Sequence, residues 1–354
     1  HRLTLAFQVT SRARSDALRA FVMALVHPDH LLLRPGDAGD AVRDVQRRLQ
    51  GTGVDVAGDP SGTYGPATEL AVRAFQERRG LRVDGICGPQ TWSSLVEAGY
   101  ALGDRLLYLH APMLRGDDVY DLQRALGSLG FDAGRVDGIF GPRTLEALSG
   151  FQRNAGVTTD GICGPATLSA LRRVTRVGDA PTVAHLRELE HLRDAPRHLH
   201  GRRIAVGETG GLAALADTVG RALQDAGAHV WVLHHPDESA QATEANALNA
   251  EAFLSFAVRD EPGCATAFYA TDGFESSGGR RLAELLLAEL PEAELGPHRG
   301  VQGMRLAILR ETRMTAVLCE IGPPVRAVEH ASVLVSGVTR ALDSWARTPL
   351  HPDH

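Results

Sequence analysis

The sequence is poor in three things, and each shortage removes a class of function. Basic residues do not outnumber acidic ones: 37 Lys and Arg stand against 43 Asp and Glu, for a formal charge of −6 and a pI near 6.2. A nucleic-acid binder needs clustered cations on one face to displace counterions from phosphate, so nucleic acid is not an expected partner. Cysteine is scarce as well. Cys87, Cys163, Cys264 and Cys319 are scattered over 354 residues and none lies in a CxxC pair, which argues against a disulfide-stapled scaffold and leaves buried, reduced thiols as the expectation. Long apolar runs are missing too, none approaching the roughly eighteen residues that suggest a bilayer span.

The nearest thing to an export signal is SRARSDALRAFVMALVHPDH at residues 11–30. Its apolar patch is only about seven residues long, and no A-x-A-like cleavage site follows. Leu18, Phe21, Val22 and Leu25 share one helical face, so residues 1–33 read as an N-terminal extension with an amphipathic helix. No export signal is evident in this stretch, and one upstream of His1 would make the protein secreted or wall-bound.

What the chain does have is a duplication. GTYGPATELAVRAFQERRGLRVDGICGPQTWSSL from Gly62 is repeated as GIFGPRTLEALSGFQRNAGVTTDGICGPATLSAL from Gly138. Gly65 and Gly141, Phe75 and Phe151, and Gly88 and Gly164 are each 76 residues apart. Upstream, GDAVRDVQRRL and GDDVYDLQRAL begin at Gly39 and Gly116, so the first copy carries one extra residue in its loop. Each copy reads as three short helices. The first is built on Val42, Val45 and Leu49 (Val119, Leu122 and Leu126 in the second copy), and the second on Leu70, Val72 and Phe75 (Leu145, Leu148 and Phe151). The third follows DGICGP, where Pro89 or Pro165 suits a helix start. Cores this small suggest that the two copies pack against each other.

The pattern V-x-x-(L/V)-Q-x-x-L, then D-G-x-(F/Y)-G-x-x-T, then F-Q, then D-G-I-C-G-P-x-T resembles the three-helix peptidoglycan-binding module of cell-wall hydrolases. The first copy departs from it with DPSGTYG in one loop. The resemblance implies recognition of wall glycopeptide through loops around Tyr64, Asp84, Asp137 and Asp160. Turn formation is the alternative role for the three aspartates, because Asp-Gly is a turn former in its own right.

Residues 175–200 are charged, histidine-rich and interrupted by Pro181 and Pro196, which reads as a linker enclosing a short helix. His185, His191, His198 and His200 belong there to a solvated face. From residue 201 strands and helices alternate. The expected strands are RIAVGE, HVWVLH, ATAFYAT and AVLCEIG, with ALNAEAFLSFAV a helix leading into a strand. LAALADTVGRALQDAG, GGRRLAELLLAEL and HASVLVSGVTRALDSWA are the expected helices. The fold class is therefore multidomain: two all-α modules (34–100 and 111–174) and, after the linker, an α/β domain with a mostly parallel sheet (201–347), then a tail (348–354).

This last domain resembles the zinc-dependent N-acetylmuramoyl-L-alanine amidases, on the strength of GG after the first strand, Ala245-Asn246, FLS, FYA, LAILRETRM and VLCEIG. In that family a His in D-P-G-H-G-G, a Glu in the following loop and a His in S-I-H-x-N hold the metal, and a Glu near the last strand acts as general base. Three protein ligands leave a fourth position for the water whose pKa the metal lowers. Here the first His falls on Thr209, the Glu loop is missing, and the second His falls on Ala257. Only the general base is kept, as Glu320. Glu208, His234, His235 and Cys264 could supply a rebuilt centre, but His234 and His235 are adjacent on a strand end and should point to opposite faces.

A degenerate amidase behind two wall-binding modules is similar to the actinobacterial CwlM-type proteins. That likeness implies a catalytically inactive, peptidoglycan-binding protein, cytoplasmic or peripheral to a membrane, that regulates wall synthesis. Its partners would be peptidoglycan or a lipid-linked precursor and proteins of the synthetic machinery, and it would need no cofactor. The alternative is an active amidase, which would need zinc.

Overall fold

A computed structural model of the chain describes residues 32–174, 183–271 and 274–350. The helix expected around residues 18–25 lies outside the described residues. The chain forms two compact units: the first module, up to Arg78 and again over Arg82–Gly99, and the second module with the C-terminal domain, which also takes in Arg79–Leu81. The second module thus shares a unit with the α/β domain.

The first unit holds α1 (Asp40–Gly51), α2 (Pro66–Arg78) and α3 (Pro89–Glu97). Val42, Val45, Leu49, Val72 and Phe75 are buried as expected, whereas Leu70 is 67% exposed. The inward stripe of α2 runs through Thr68, Ala71, Val72 and Phe75, and Leu70 falls off it by one helical step. The second module repeats the plan with α4 (Asp117–Ser128), α5 (Pro142–Ala155) and α6 (Pro165–Val174). Val119, Leu122, Leu126, Leu148 and Phe151 are at its centre. Matching bridges close the two copies, Leu33 with Cys87 and Leu107 with Cys163.

Beyond it, α7 (Val183–Asp194) leads to β1 (Arg203–Glu208), α8 (Ala213–Asp225), β2 (His229–His234), α9 (Glu238–Ala247) and β3 (Ala252–Val258). Then come β4 (Gly263–Thr271), β5 (Phe274–Glu275), α10 (Ser277–Glu289), α11 (Glu292–Leu295), β6 (His298–Met304) and α12 (Ala307–Arg310). The chain finishes with β7 (Thr315–Gly322), α13 (Pro324–Glu329) and α14 (Ala331–Arg347). The sheet order is β2-β1-β3-β7-β4-β5, with β6 on β4. β2, β1, β3 and β7 are parallel, and β4 runs antiparallel to β7.

Such a sheet must be covered on both faces. On one face Leu215, Val219 and Leu223 of α8, Leu282 and Leu286 of α10, and Leu334, Val338, Leu342 and Trp345 of α14 pack onto Ile204, Val206, Leu254 and Phe256. On the other, Ala205, Phe253, Ala257, Leu318 and Tyr269 meet Ala245 of α9, Ile308 and Leu309 of α12, and Tyr120 and Val136 of the second module. The second module therefore completes the layer that the domain's own helices leave short. Helix α7 joins both layers, with Ala184 in one cluster and Leu192 in the other. Its Glu188 carboxylate accepts from Ser276 Oγ (2.6 Å) and Gly278 N at the start of α10.

Candidate functional site

The four loops expected to touch glycopeptide are organised by four buried glutamines. Gln76 Nε2 donates to Asp84 Oδ1 (2.7 Å), Ile86 O and Thr91 Oγ1, while its Oε1 accepts from the N–H groups of Asp84 and Gly85. Gln123 makes the same five bonds to Asp137, Ile139, Thr144 and Gly138. Gln152 holds Asp160, Ile162, Thr167 and Gly161 in the same way. In the first copy's departing loop, Gln46 grips Thr63, Thr68 and Gly62. Each amide thus has both its donors and its acceptor engaged. Asp84, Asp137 and Asp160 also each accept the N–H two residues on, closing an Asx turn. Tyr64 is buried, and its hydroxyl donates to Gly85 O at 2.8 Å.

The C-terminal domain closes over one of these loops. Arg310 Nε donates to Asp137 O (2.6 Å) and Tyr269 Oη to Val136 O (2.8 Å). Tyr120 and Thr271 hydroxyls bond at 2.8 Å. Arg135 lies over the Tyr269 ring at 4.6 Å and donates to Leu309 O and Thr312 O, and Arg115 pairs with Glu311. Two chemically identical turns diverge as a result. Asp160, in the open, is held below the usual carboxylate range by the Ile162 N–H and the Gln152 amide. Desolvation pushes Asp137 above that range, against the pull of Gln123, the Ile139 N–H, Arg310 and Arg135.

The sign of the linkage differs accordingly. Asp160's contribution is fully present above its unfolded pKa and fades only as pH falls toward its lowered folded value. Asp137's raised pKa means stability present below its unfolded pKa that is lost as pH rises through the folded one. Urea midpoints from about pH 5 to 8 should therefore show Asp137→Asn gaining on the parent as pH rises, while Asp160→Asn keeps a constant deficit. A flat Asp137→Asn difference would contradict the assignment.

The amidase-like edge lies where β1, β3 and β7 end. Thr209 N donates to Phe256 O (3.1 Å), continuing the β1 to β3 ladder. Ala257 pairs with Glu320 across β3 and β7, and Ala265 with Glu320 across β4 and β7. Thr209, Ala257, Glu320 and Ala265 therefore form one row across four strands. Just past β3, Arg259 places Nη1 3.9 Å from Glu320 Oε2 and Nη2 3.4 Å from Glu261.

Glu208 is turned to the other face of the sheet. Its Oε2 accepts from Gly210 N and Leu212 N, and Oε1 lies 3.6 Å from His234 Nδ1. His234 Nε2 reaches Asp217 of α8 at 3.0 Å, while His235 Nδ1 accepts from Asp237 N. Cys264 is buried in the α8-side cluster, and burial pushes its thiol up to about 11.

Residues 38–95 and 115–171 each match the family "Putative peptidoglycan binding domain". "N-acetylmuramoyl-L-alanine amidase CwlM" of Mycobacterium tuberculosis is 35% identical over 350 residues, covering 87% of this chain and 86% of the relative. The chain belongs to the CwlM-type amidase family. "N-acetylmuramoyl-L-alanine amidase CwlL" of Bacillus licheniformis is 31% identical over 36% of this chain and 41% of its own length. A crystal structure of an N-acetylmuramoyl-L-alanine amidase from Clostridium difficile 630 covers 42% of this chain and 98% of that one, at 14% identity and a TM-score of 0.36. The protein is thus a peptidoglycan-binding member of an amidase-like family.

Membership of that family implies zinc, and the residues present do not fit it. The row beside Glu320 offers a hydroxyl and two methyl groups where imidazoles would be needed. Among the described residues no three His, Cys, Asp or Glu are grouped so as to hold a metal ion. The rebuilt set does not converge: Glu208 and His234 face α8, His235 caps a turn and Cys264 lies in a core. Of the linker histidines, His185 and His191 lie on α7, while His198 Nδ1 contacts His200 O. Arg259 was not singled out in the sequence, where nothing distinguishes it from other arginines. Its only signal was position, two residues after Ala257 and hence on the same side of an extended chain.

Proposed function

We propose that this chain is a catalytically inactive amidase homologue that regulates peptidoglycan synthesis by binding. Its modules take wall glycopeptide or a lipid-linked precursor, and its α/β domain serves as a shaped surface for proteins of the synthetic machinery. The observation that supports this reading is the row Thr209, Ala257, Glu320 and Ala265, in which a general base is kept and every neighbouring position lacks a metal-binding donor of the family's type. Losing a mere supporting partner of a metal site costs about 10- to 100-fold in affinity or activity. Losing the direct ligands should abolish the site.

Metal analysis of the purified chain after equilibration with zinc, paired with digestion of isolated muropeptides, tests it. The expected outcome is far less than one zinc per chain and no released stem peptide. Stoichiometric zinc with release that Glu320→Ala abolishes would establish the active-amidase alternative. The place of action proposed with this role is the cytoplasm or the membrane surface, and cell fractionation that recovers the protein from the wall would overturn that part.

A further inference from the structure

The row of Thr209, Ala257, Glu320 and Ala265 has a cation beside it. Arg259 follows β3 and extends its ladder, its N–H donating to Ile321 O at 3.0 Å. Its guanidinium approaches Glu320 and Glu261, and its Nε is buried without a hydrogen-bond partner. A Cβ at position 322 would sit 2.3 Å from both Arg259 Cγ and Glu261 O and 2.4 Å from Arg259 O, so the glycine there lets the backbone after β3 and the arginine stem both run close against β7. Side-chain exposure is 22% for Arg259 and 16% for Glu320, enough burial for the pair to interact more strongly than a surface ion pair.

We infer that Arg259 takes the electrostatic place of the zinc ion. A carboxylate kept at the end of a sheet is costly without a positive charge nearby, and the family supplies that charge with a metal. Here a guanidinium on the next strand supplies it. The fixed cation also opposes any divalent ion entering, since positions 257 and 259 lie only about 7 Å apart along an extended strand. Glu320 is therefore retained as the partner of an arginine and not as a base awaiting a metal. This inference rests on the proposed inactivity of the site and goes beyond it by naming the residue that makes the loss stable.

Two experiments on the full chain test it. In thermal unfolding, Arg259→Met and Glu320→Gln should each lower Tm by a few degrees, and the double variant should fall no further than the worse single one. Additive losses would overturn the pairing. In a zinc titration against a chromophoric chelator, Thr209→His/Ala257→His should bind at least tenfold more tightly once Arg259→Met is added. Equal affinity with and without Arg259, including none in either, would overturn the exclusion. Zinc in the unmodified chain would instead bring down the proposed inactivity, so the two failures are distinguishable.

Discussion

Replacing Gln123 with leucine should cost the second unit about 3–5 kcal/mol, because several buried polar groups lose their partners together. The side chain volume is nearly kept, so the loss comes from polarity and not from a cavity. Asp137 Oδ1, Ile139 O and Thr144 Oγ1 lose a donor, and the N–H groups of Asp137 and Gly138 lose an acceptor. The same loop backbone is what Arg310 and Tyr269 grip through Asp137 O and Val136 O. Loosening the turn therefore also loosens the seam with the α/β domain. Urea unfolding followed by hydrogen exchange should show lost protection in residues 134–140 and in β4 together. A loss below about 1 kcal/mol, the value of an ordinary single hydrogen bond, would mean that the glutamine is not the organiser of the loop.

The second large effect should come from the seam itself. Arg310 is almost fully buried and places its Nε on the loop's carbonyl. Truncating it to alanine removes both a charge-assisted bond and packing, for an expected loss of about 2–4 kcal/mol. Tyr269→Phe is milder, about 1–2 kcal/mol, because it deletes one hydroxyl and leaves Val136 O short of a donor. Both side chains act on adjacent peptide units, so the double variant should fall short of the sum. Limited proteolysis should then release the second module from the α/β domain. Unchanged resistance to protease in the Arg310→Ala variant would show that the seam's other contacts, among them the Tyr269 bond to Val136 O, the Arg115–Glu311 pair and the packing of Tyr120 and Val136, hold it without Arg310.

Much of the molecule could be read from its residues, and the unreadable part has a common cause. The 76-residue spacing gave both modules, and the alternation of RIAVGE, HVWVLH and AVLCEIG with amphipathic segments gave the layered domain, because both signals are local and periodic. Strand β6, HRGVQGM, carries no alternation of apolar and polar residues by which a strand is recognised. Thr209 and Ala257 could be set in the row with Glu320 because a motif fixed their positions. The glutamine in each V-Q, F-Q or L-Q pair was visible, but not its grip on a loop 8 to 17 positions further on. The seam was beyond reach, since Tyr269 and Val136 are 133 positions apart and Arg310 and Asp137 are 173 apart. No periodicity links contacts at that range, and no single-residue property marks Arg259 as the neighbour of Glu320.

Helix α7 bears on how the second unit would respond to mechanical load. A slack tether would let a module held by a wall polymer swing without disturbing the domain behind it. Here Glu188 is fastened to the start of α10, Arg187 pairs with Asp132 of the second module, and Ala184 and Leu192 are wedged into the clusters on either side of the sheet. Tension on the second module would reach the strands directly, through these contacts of α7.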